Sequence, residues 1–196
     1  MNKDFTPHAP VTTAKAAMNY GIIFGIIMIL EFVISYALDL QPQDSKWVGI
    51  LYGVLNNLVL PILFIALACN HFKKAHGGYI TFGQSIKTGV ATTVIGAILF
   101  AVFNIIFNLI FPEFQAEALE KVKQAQLMTN PNMTAEQMKL TLQITETFAK
   151  PYVAFPITIL FYAFLGLIYS LIVGAIVKKE NPYGDVPQDI NNIGAE

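Results

Sequence analysis

The chain has 196 residues, of which 55% are hydrophobic and 13% charged, and its formal net charge is -1. This composition is too apolar for an ordinary soluble domain and excludes intrinsic disorder. All 12 basic residues are lysines, so the clustered, arginine-rich face typical of nucleic-acid binding is missing from the sequence. We therefore expect an integral membrane protein that contacts the lipid bilayer and binds no nucleic acid.

Four apolar segments reach the roughly 20 residues that a helix needs to cross a hydrocarbon core about 30 Å thick. They cover residues 18–38, 48–69, 90–111 and 152–177. The first contains Glu31, whose insertion cost of about 3 kcal/mol is outweighed by the many Ile, Leu, Phe and Val residues around it. This segment also exceeds the apolar core of a signal peptide, about 7 to 15 residues, so we expect it to be retained. The sequence predicts an all-α, four-span membrane bundle over residues 18–177.

Lysines near the ends of the spans indicate the orientation, because cytoplasmic loops are enriched in them. One side holds the lysines before span one, between spans two and three, and after span four: Lys15, Lys73, Lys74, Lys87, Lys178 and Lys179. The other side has Lys46 and Lys150 close to a span. We therefore predict that both terminal segments, residues 1–17 and 178–196, are cytoplasmic, and that the loop 112–151 is extracytoplasmic.

The long loop 112–151 has its own helical pattern. Apolar residues recur at helical spacing from Phe114 to Ala125, and the segment 129–132 reads as a break. Thr134 and Gln137 then fit a capping box that opens a second helix toward Phe148. We predict an amphipathic helical hairpin that lies on the membrane surface, caps the bundle or meets a partner.

Glu31 is the first candidate for a functional residue, since an ionisable group inside a span usually faces a bundle interior or a water-filled cavity. Counting residues at 1.5 Å rise places Asn56, Asn57, Asn104 and Tyr162 at nearly the same depth. Such a polar layer suits a proton or small-solute path. The alternative is that Glu31 only joins helices through a hydrogen bond, because depth does not define which way a side chain faces.

Small residues recur at four-residue spacing in every span, which permits close helix packing. They are Ala17, Gly21 and Gly25; Gly49 and Gly53; Gly89, Thr93 and Ala97; and Gly166, Ser170 and Gly174. The same faces serve packing within one chain or formation of a homo-oligomer.

Two resemblances to chemical motifs are incomplete. Segment 78–85 has the glycine spacing of a phosphate-binding loop, but Gln84 stands where the lysine belongs. Cys69, His71 and His76 lack a fourth metal ligand nearby. The usual hydrolase motifs are also missing from the sequence, so we expect no enzyme, no cofactor and no metal.

The segment from Gly77 to Gly89 carries the pattern Gly78, Phe82, Gly83 and Lys87. With the helical outer loop and the tail 176–182, it resembles a bacterial family of small four-span membrane proteins known as a domain of unknown function, family number 4199. The resemblance covers about residues 10 to 182 and implies a bacterial inner-membrane location. It implies no activity or catalytic residue. Physically, the glycines suit a turn that reverses the chain before span three.

Three functions remain open on the sequence. The leading hypothesis is a non-enzymatic scaffold or accessory membrane subunit, in which Glu31 is structural. The second is a small transporter or proton-coupled permease that uses Glu31 and the asparagine layer. The third is a regulator whose outer hairpin binds an envelope protein.

Overall fold

The computed structural model describes residues 11–40 and 45–182, and these form a bundle of helices. Four long helices are apolar enough to cross a membrane: α1 (Thr13–Ala37), α2 (Lys46–Ala75), α3 (Phe82–Ile110) and α6 (Pro151–Val177). Two shorter helices, α4 (Glu113–Thr129) and α5 (Ala135–Ala149), connect α3 to α6. The predicted all-α membrane bundle is confirmed. The outer parts of the predicted terminal segments, residues 1–10 and 183–196, lie outside the described residues.

Helices α1 and α3 begin well before the predicted apolar spans because polar caps start them earlier. Thr12 accepts a hydrogen bond from the Lys15 backbone N–H at 3.1 Å and so starts α1 at Thr13. Thr81 and Gln84 form a reciprocal capping box, and α3 therefore begins at Phe82 rather than at residue 90. Hydropathy identifies the part of a helix that lies in lipid, whereas the caps define where the helix itself begins.

Helix α3 lies at the centre of the bundle, and its packing on α6 depends on small residues that alternate across the contact. Three pairs face each other, and in each the glycine of one helix meets a side chain of the other: Gly166 with Thr93, Gly89 with Ser170, and Gly174 with Ser85. A Cβ atom at Gly89 would also lie 2.8 Å from Ile65 Cγ2 of α2. The order of the pairs makes α3 and α6 antiparallel, and the absence of side chains at the glycines lets the two backbones approach closely.

Helix α1 packs on another face of α3 by the same principle. A Cβ at Gly21 would lie 2.8 Å from the Thr92 carbonyl oxygen, and one at Gly25 would lie 3.0 Å from that of Gly96. The residue numbers of the contacting positions increase in the same direction along α1 and α3, so these two helices run parallel. The first and third spans of a chain that crosses the membrane repeatedly must do so. The small residues of α1, α3 and α6 are therefore used for packing within the chain.

Helix α2 is divided by a π-helical turn, Leu55–Val59, immediately before Pro61. Pro61 has no backbone N–H, so the helix cannot continue its regular bonding to the preceding turn, and a π turn accommodates the interruption. The half after the turn, Leu60–Ala75, packs against α1, α3 and α6. The half before it, Lys46–Val54, has no buried residue. The interruption at Pro61 is thus a change of helix type, and there is space beside the first half of α2.

The connection from α2 to α3 is a tight turn. Gly77 and Gly78 adopt φ of 64° and 90°, a region that residues with a Cβ rarely occupy. Ile80 and Lys179 then exchange both backbone hydrogen bonds, at 3.0 and 2.9 Å, which joins this turn to the segment after α6. Lys73 Nζ also donates to the Val177 carbonyl oxygen at 2.7 Å. These bonds hold the ends of α2, α3 and α6 together at one side of the bundle.

Helices α4 and α5 contact each other, and the turn between them covers the predicted break at residues 129–132. The capping box at Thr134 is present, with Gln137 N–H donating to Thr134 Oγ1 at 3.2 Å. Phe114 of α4 packs in an aromatic cluster with Phe32, Tyr36 and Phe107. Helix α4 is thereby attached to the ends of α1 and α3.

Candidate functional site

A cavity of about 550 Å³ lies between α1, the first half of α2, α3, α4 and α6. We call it the site cavity. Its lining residues are Met28, Glu31, Phe32, Ser35, Tyr36, Gly49, Tyr52, Gly53, Asn56, Asn57, Phe100, Phe114, Ala118 and Tyr162. The cavity exists because the first half of α2 does not close on the other helices, while α4 covers one end.

Glu31 of α1 and Asn56 of α2 meet inside the site cavity. Asn56 Nδ2 donates to Glu31 Oε2 at 2.9 Å, and it also lies 3.3 Å from the Tyr52 carbonyl oxygen. Glu31 is partly exposed to the cavity, not enclosed by side chains. A carboxylate in this position can accept a proton, accept hydrogen bonds from a solute or attract a cation.

The π turn of α2 presents backbone carbonyls to α6. The Tyr169 hydroxyl donates to the Asn57 carbonyl oxygen at 2.6 Å, and the Tyr162 hydroxyl lies 3.5 Å from that of Asn56. Pro61 lies four residues after Asn57 and has no N–H to offer that carbonyl, so a tyrosine supplies the donor. This arrangement holds Tyr162 and the two asparagines around the same cavity.

Aromatic side chains form much of the remaining wall. Phe32 meets Phe100 and Phe114 in edge-to-face contacts, with ring centroids 6.2 and 5.6 Å apart. Tyr36 lies against Phe114 at 5.7 Å. The bonds and rings together make a mostly apolar pocket with a few polar groups at defined positions, which is the usual composition of a small-molecule site.

Helix α4 covers the cavity through Phe114 and Ala118. One turn beyond Ala118, Lys121 Nζ lies 3.1 Å from Asp39 Oδ1 at the end of α1. Asp39 has a left-handed φ of 51°, so its backbone turns sharply just after α1 ends. The ion pair is exposed on the Asp39 side and contributes about 1 kcal/mol at most, so the aromatic contacts of Phe114 hold α4 more firmly.

Four of the five residues predicted for the polar layer line the site cavity: Glu31, Asn56, Asn57 and Tyr162. Asn104 does not. It lines a second cavity, of about 150 Å³, between α3 and the start of α6, and its carbonyl oxygen accepts from Asn108 Nδ2 at 2.7 Å. Gly25 of α1 lies beside Leu99 of α3, and the two helices run parallel, so Glu31 and Asn104 lie at similar depths. They line different cavities because Asn104 lies on a face of α3 that is turned away from Glu31.

The comparison of depths along the spans did not identify several residues that line the site cavity. Their spacing along each helix could have identified them. Positions 28, 31, 32, 35 and 36 form one face of α1, and 49, 52, 53, 56 and 57 form one face of α2. Both faces mix polar, aromatic and small residues around Glu31 and Asn56. A helical projection centred on those two residues therefore finds Ser35 and Tyr52, each four residues from the centre.

The loop pattern that carries the family resemblance lies at the opposite end of the bundle from α4. Gly78 has positive φ, and Phe82 starts α3 and contacts the Gly174 position of α6. Lys87 is exposed, and no atom of the described residues lies within 4 Å of a Cβ placed on Gly83. In the described structure these residues form a turn and a helix start.

Cys69, His71 and His76 face different surroundings. Cys69 is buried, with its Sγ 3.6 Å from the Ser85 carbonyl oxygen, and His71 meets the ring of Tyr20. His76 stacks on Phe72, with 3.9 Å between ring centroids. The described residues contain no group of three or more His, Cys, Asp or Glu placed to hold a metal ion.

Four apolar helices of membrane-crossing length define a multi-pass helical membrane protein. The family model described as "Protein of unknown function (DUF4199)" matches residues 19–179. The chain belongs to this family. No curated protein and no solved structure matches it.

Proposed function

We propose that the protein is a small, non-enzymatic membrane transporter that holds its solute in the site cavity, with Glu31 as the group that exchanges a proton or an ion. The observation that supports this proposal most strongly is a cavity of about 550 Å³ with the intramembrane carboxylate of Glu31 on its wall. Pockets of roughly 300 to 1,000 Å³ hold small organic molecules. A carboxyl group that only joined two helices would need no such space.

The π turn of α2 supplies a place where the helix can bend. Pro61 and the π turn interrupt the backbone hydrogen bonding between the tightly packed half of α2 and the half beside the cavity. The packed core of α1, α3 and α6 would stay fixed. Movement of Lys46–Val54 against that core would open and close the site cavity.

The lysine distribution supports an orientation with both termini in the cytoplasm, and the family resemblance supports the bacterial inner membrane. In this orientation α4 and α5 are extracytoplasmic. Glu31 then lies in the outer half of the bilayer, since it follows the middle of α1, and α4 covers the outer end of the cavity.

Carbodiimide labelling of Glu31 in native membranes, measured by mass spectrometry across pH, tests the proposal without knowledge of the solute. Carbodiimides react with a protonated carboxyl group, so labelling that decreases as pH rises would identify a carboxyl that exchanges protons with water. E31Q is the blank. Absence of labelling at every pH would contradict the transporter proposal.

The scaffold or accessory-subunit function, the leading hypothesis on the sequence alone, is the second candidate here, and the Glu31–Asn56 hydrogen bond favours it. This bond connects α1 to the π turn of α2, next to the half of α2 that has no buried residue, and interhelical polar bonds stabilise by about 0.6 to 2 kcal/mol. Glutamine at position 31 keeps an acceptor for Asn56 Nδ2. A scaffold would therefore tolerate E31Q, whereas a transporter would lose solute exchange.

The regulator function depends on which face of the outer helices is free. Phe114 packs inside the chain, so a partner would meet α5 instead, where Phe148 is 55% exposed. Formation of a homo-oligomer is a further prediction. Crosslinks from the Phe148 position distinguish the two ideas: capture of one specific protein would support the regulator, whereas self or lipid crosslinks alone would count against it.

A further inference from the structure

We propose that the site cavity selects an organic cation with an apolar body. This assignment of a solute class rests on the proposed function. Three features of the site cavity lead to it: the charge of its wall, its aromatic rings, and its lack of a ligand set for an inorganic ion.

The wall carries a negative charge when Glu31 is ionised. Among the described residues that line the site cavity, Glu31 is the single one with a charged side chain, and no lysine or histidine lines it. Lys121, one turn beyond Ala118, has its ammonium group beside Asp39 at 3.1 Å. The remaining titratable groups on the wall are the phenols Tyr36, Tyr52 and Tyr162. A bound monovalent cation would balance Glu31, whereas an anion would meet an uncompensated carboxylate.

Aromatic rings come from five helices around this carboxylate: Phe32, Tyr36, Tyr52, Phe100, Phe114 and Tyr162. Ring faces attract cations, by about 0.5 to 2 kcal/mol for each well-placed ring, and they also bury apolar surface of a solute. Carboxylate and rings therefore recognise two properties of the same molecule. A volume of about 550 Å³ accommodates several ring-sized groups.

The oxygen atoms of the cavity suit an inorganic ion poorly. Hard cations take six or more oxygen ligands in closed shells. Here the described lining residues supply a single carboxylate, Glu31, and the Asn57 carbonyl oxygen already accepts a hydrogen bond from Tyr169. An organic cation needs no such shell, because it carries its own substituents.

Equilibrium dialysis of tetraphenylphosphonium against the purified full chain in nanodiscs tests this assignment. Empty nanodiscs correct for partition into lipid, and tetraphenylborate provides an anion of the same shape. We expect saturable binding of one phosphonium per chain and no saturable binding of the borate. E31Q should weaken phosphonium binding at least tenfold, and Y52L severalfold. N104A, in the second cavity, is the matched control and should bind as the wild type does.

Equal binding of phosphonium and borate, or undiminished phosphonium binding by a folded E31Q protein, would overturn the assignment. If E31Q does not fold, the assignment is tested by phosphonium binding to Y52L and by the comparison of phosphonium with borate. Absence of phosphonium binding together with pH-dependent carbodiimide labelling of Glu31 would overturn the cation class and leave the transporter proposal intact. Absence of both would remove the two proposals together.

Discussion

At the scale of single residues, Gly89 shows how closely α3 and α6 approach. A Cβ at this position would overlap Ser170 Oγ and lie 3.0 Å from Ser170 Cβ. Rotating the serine hydroxyl relieves the contact with Ser170 Oγ but not the contact with Ser170 Cβ. The same Cβ would also lie 2.8 Å from Ile65 Cγ2. A side chain here requires the helices to separate.

We therefore expect G89A to destabilise the bundle by about 1 to 3 kcal/mol, the usual cost of overpacking. G83A is the matched control on the same helix, because its Cβ would meet no described atom within 4 Å. It should change stability by less than about 1 kcal/mol. Unfolding of both variants by denaturing detergent, followed by circular dichroism, measures the difference. Equal stability of G89A and G83A would contradict the close contact.

The bond between Tyr169 and the Asn57 carbonyl makes a second prediction. Y169F leaves that carbonyl without its donor and should cost about 0.5 to 1.5 kcal/mol. P61A restores a backbone N–H four residues after Asn57, so in that background Y169F should cost less. A double-mutant cycle in the same unfolding assay measures this coupling. Strict additivity would show that Pro61 does not create the need for Tyr169.

At the scale of elements, α5 has an exposed apolar stripe. Leu140, Ile144 and Phe148 recur at four-residue spacing and are 57%, 49% and 55% exposed. Such a stripe is typical of a helix lying in the membrane interface. Trp47, at the start of α2, is 78% exposed and would mask the signal of a new tryptophan.

We expect F148W, in a W47F background, to be quenched by brominated lipid in vesicles. K139W, on the same helix but outside the stripe, is the control and should be quenched less. Similar quenching of both tryptophans would contradict an interfacial orientation of α5. It would instead support the hypothesis that a protein partner binds this stripe.

The elements also show what the sequence could predict. Hydropathy located the four long helices because burial in lipid requires continuous apolar residues, and Thr134 located the start of α5 by its cap. The site cavity could not be predicted from the sequence. Glu31 and Asn104 share a level but face different cavities, because tertiary packing defines the direction of each helix face. The space itself depends on the first half of α2 standing apart from the core.

At the scale of the whole molecule, a rigid part and a less packed part lie side by side. Helices α1, α3 and α6 interlock through glycines, whereas Lys46–Val54 has no buried residue, and a Cβ at its Gly53 would meet no described atom within 4 Å. A carboxylate between two such parts changes its surroundings when one part moves. This arrangement is the physical basis of the transporter proposal.

Transport itself is tested most directly by ethidium uptake into proteoliposomes with an acidic interior, using enclosed DNA to report arrival by fluorescence. If Glu31 exchanges a proton for an organic cation, protons leaving the vesicle drive ethidium inward. We predict uptake by the wild type well above that of E31Q and of protein-free vesicles, and abolished by collapsing the pH gradient. Equal uptake by wild type, E31Q and protein-free vesicles would contradict a Glu31-dependent exchange of organic cations.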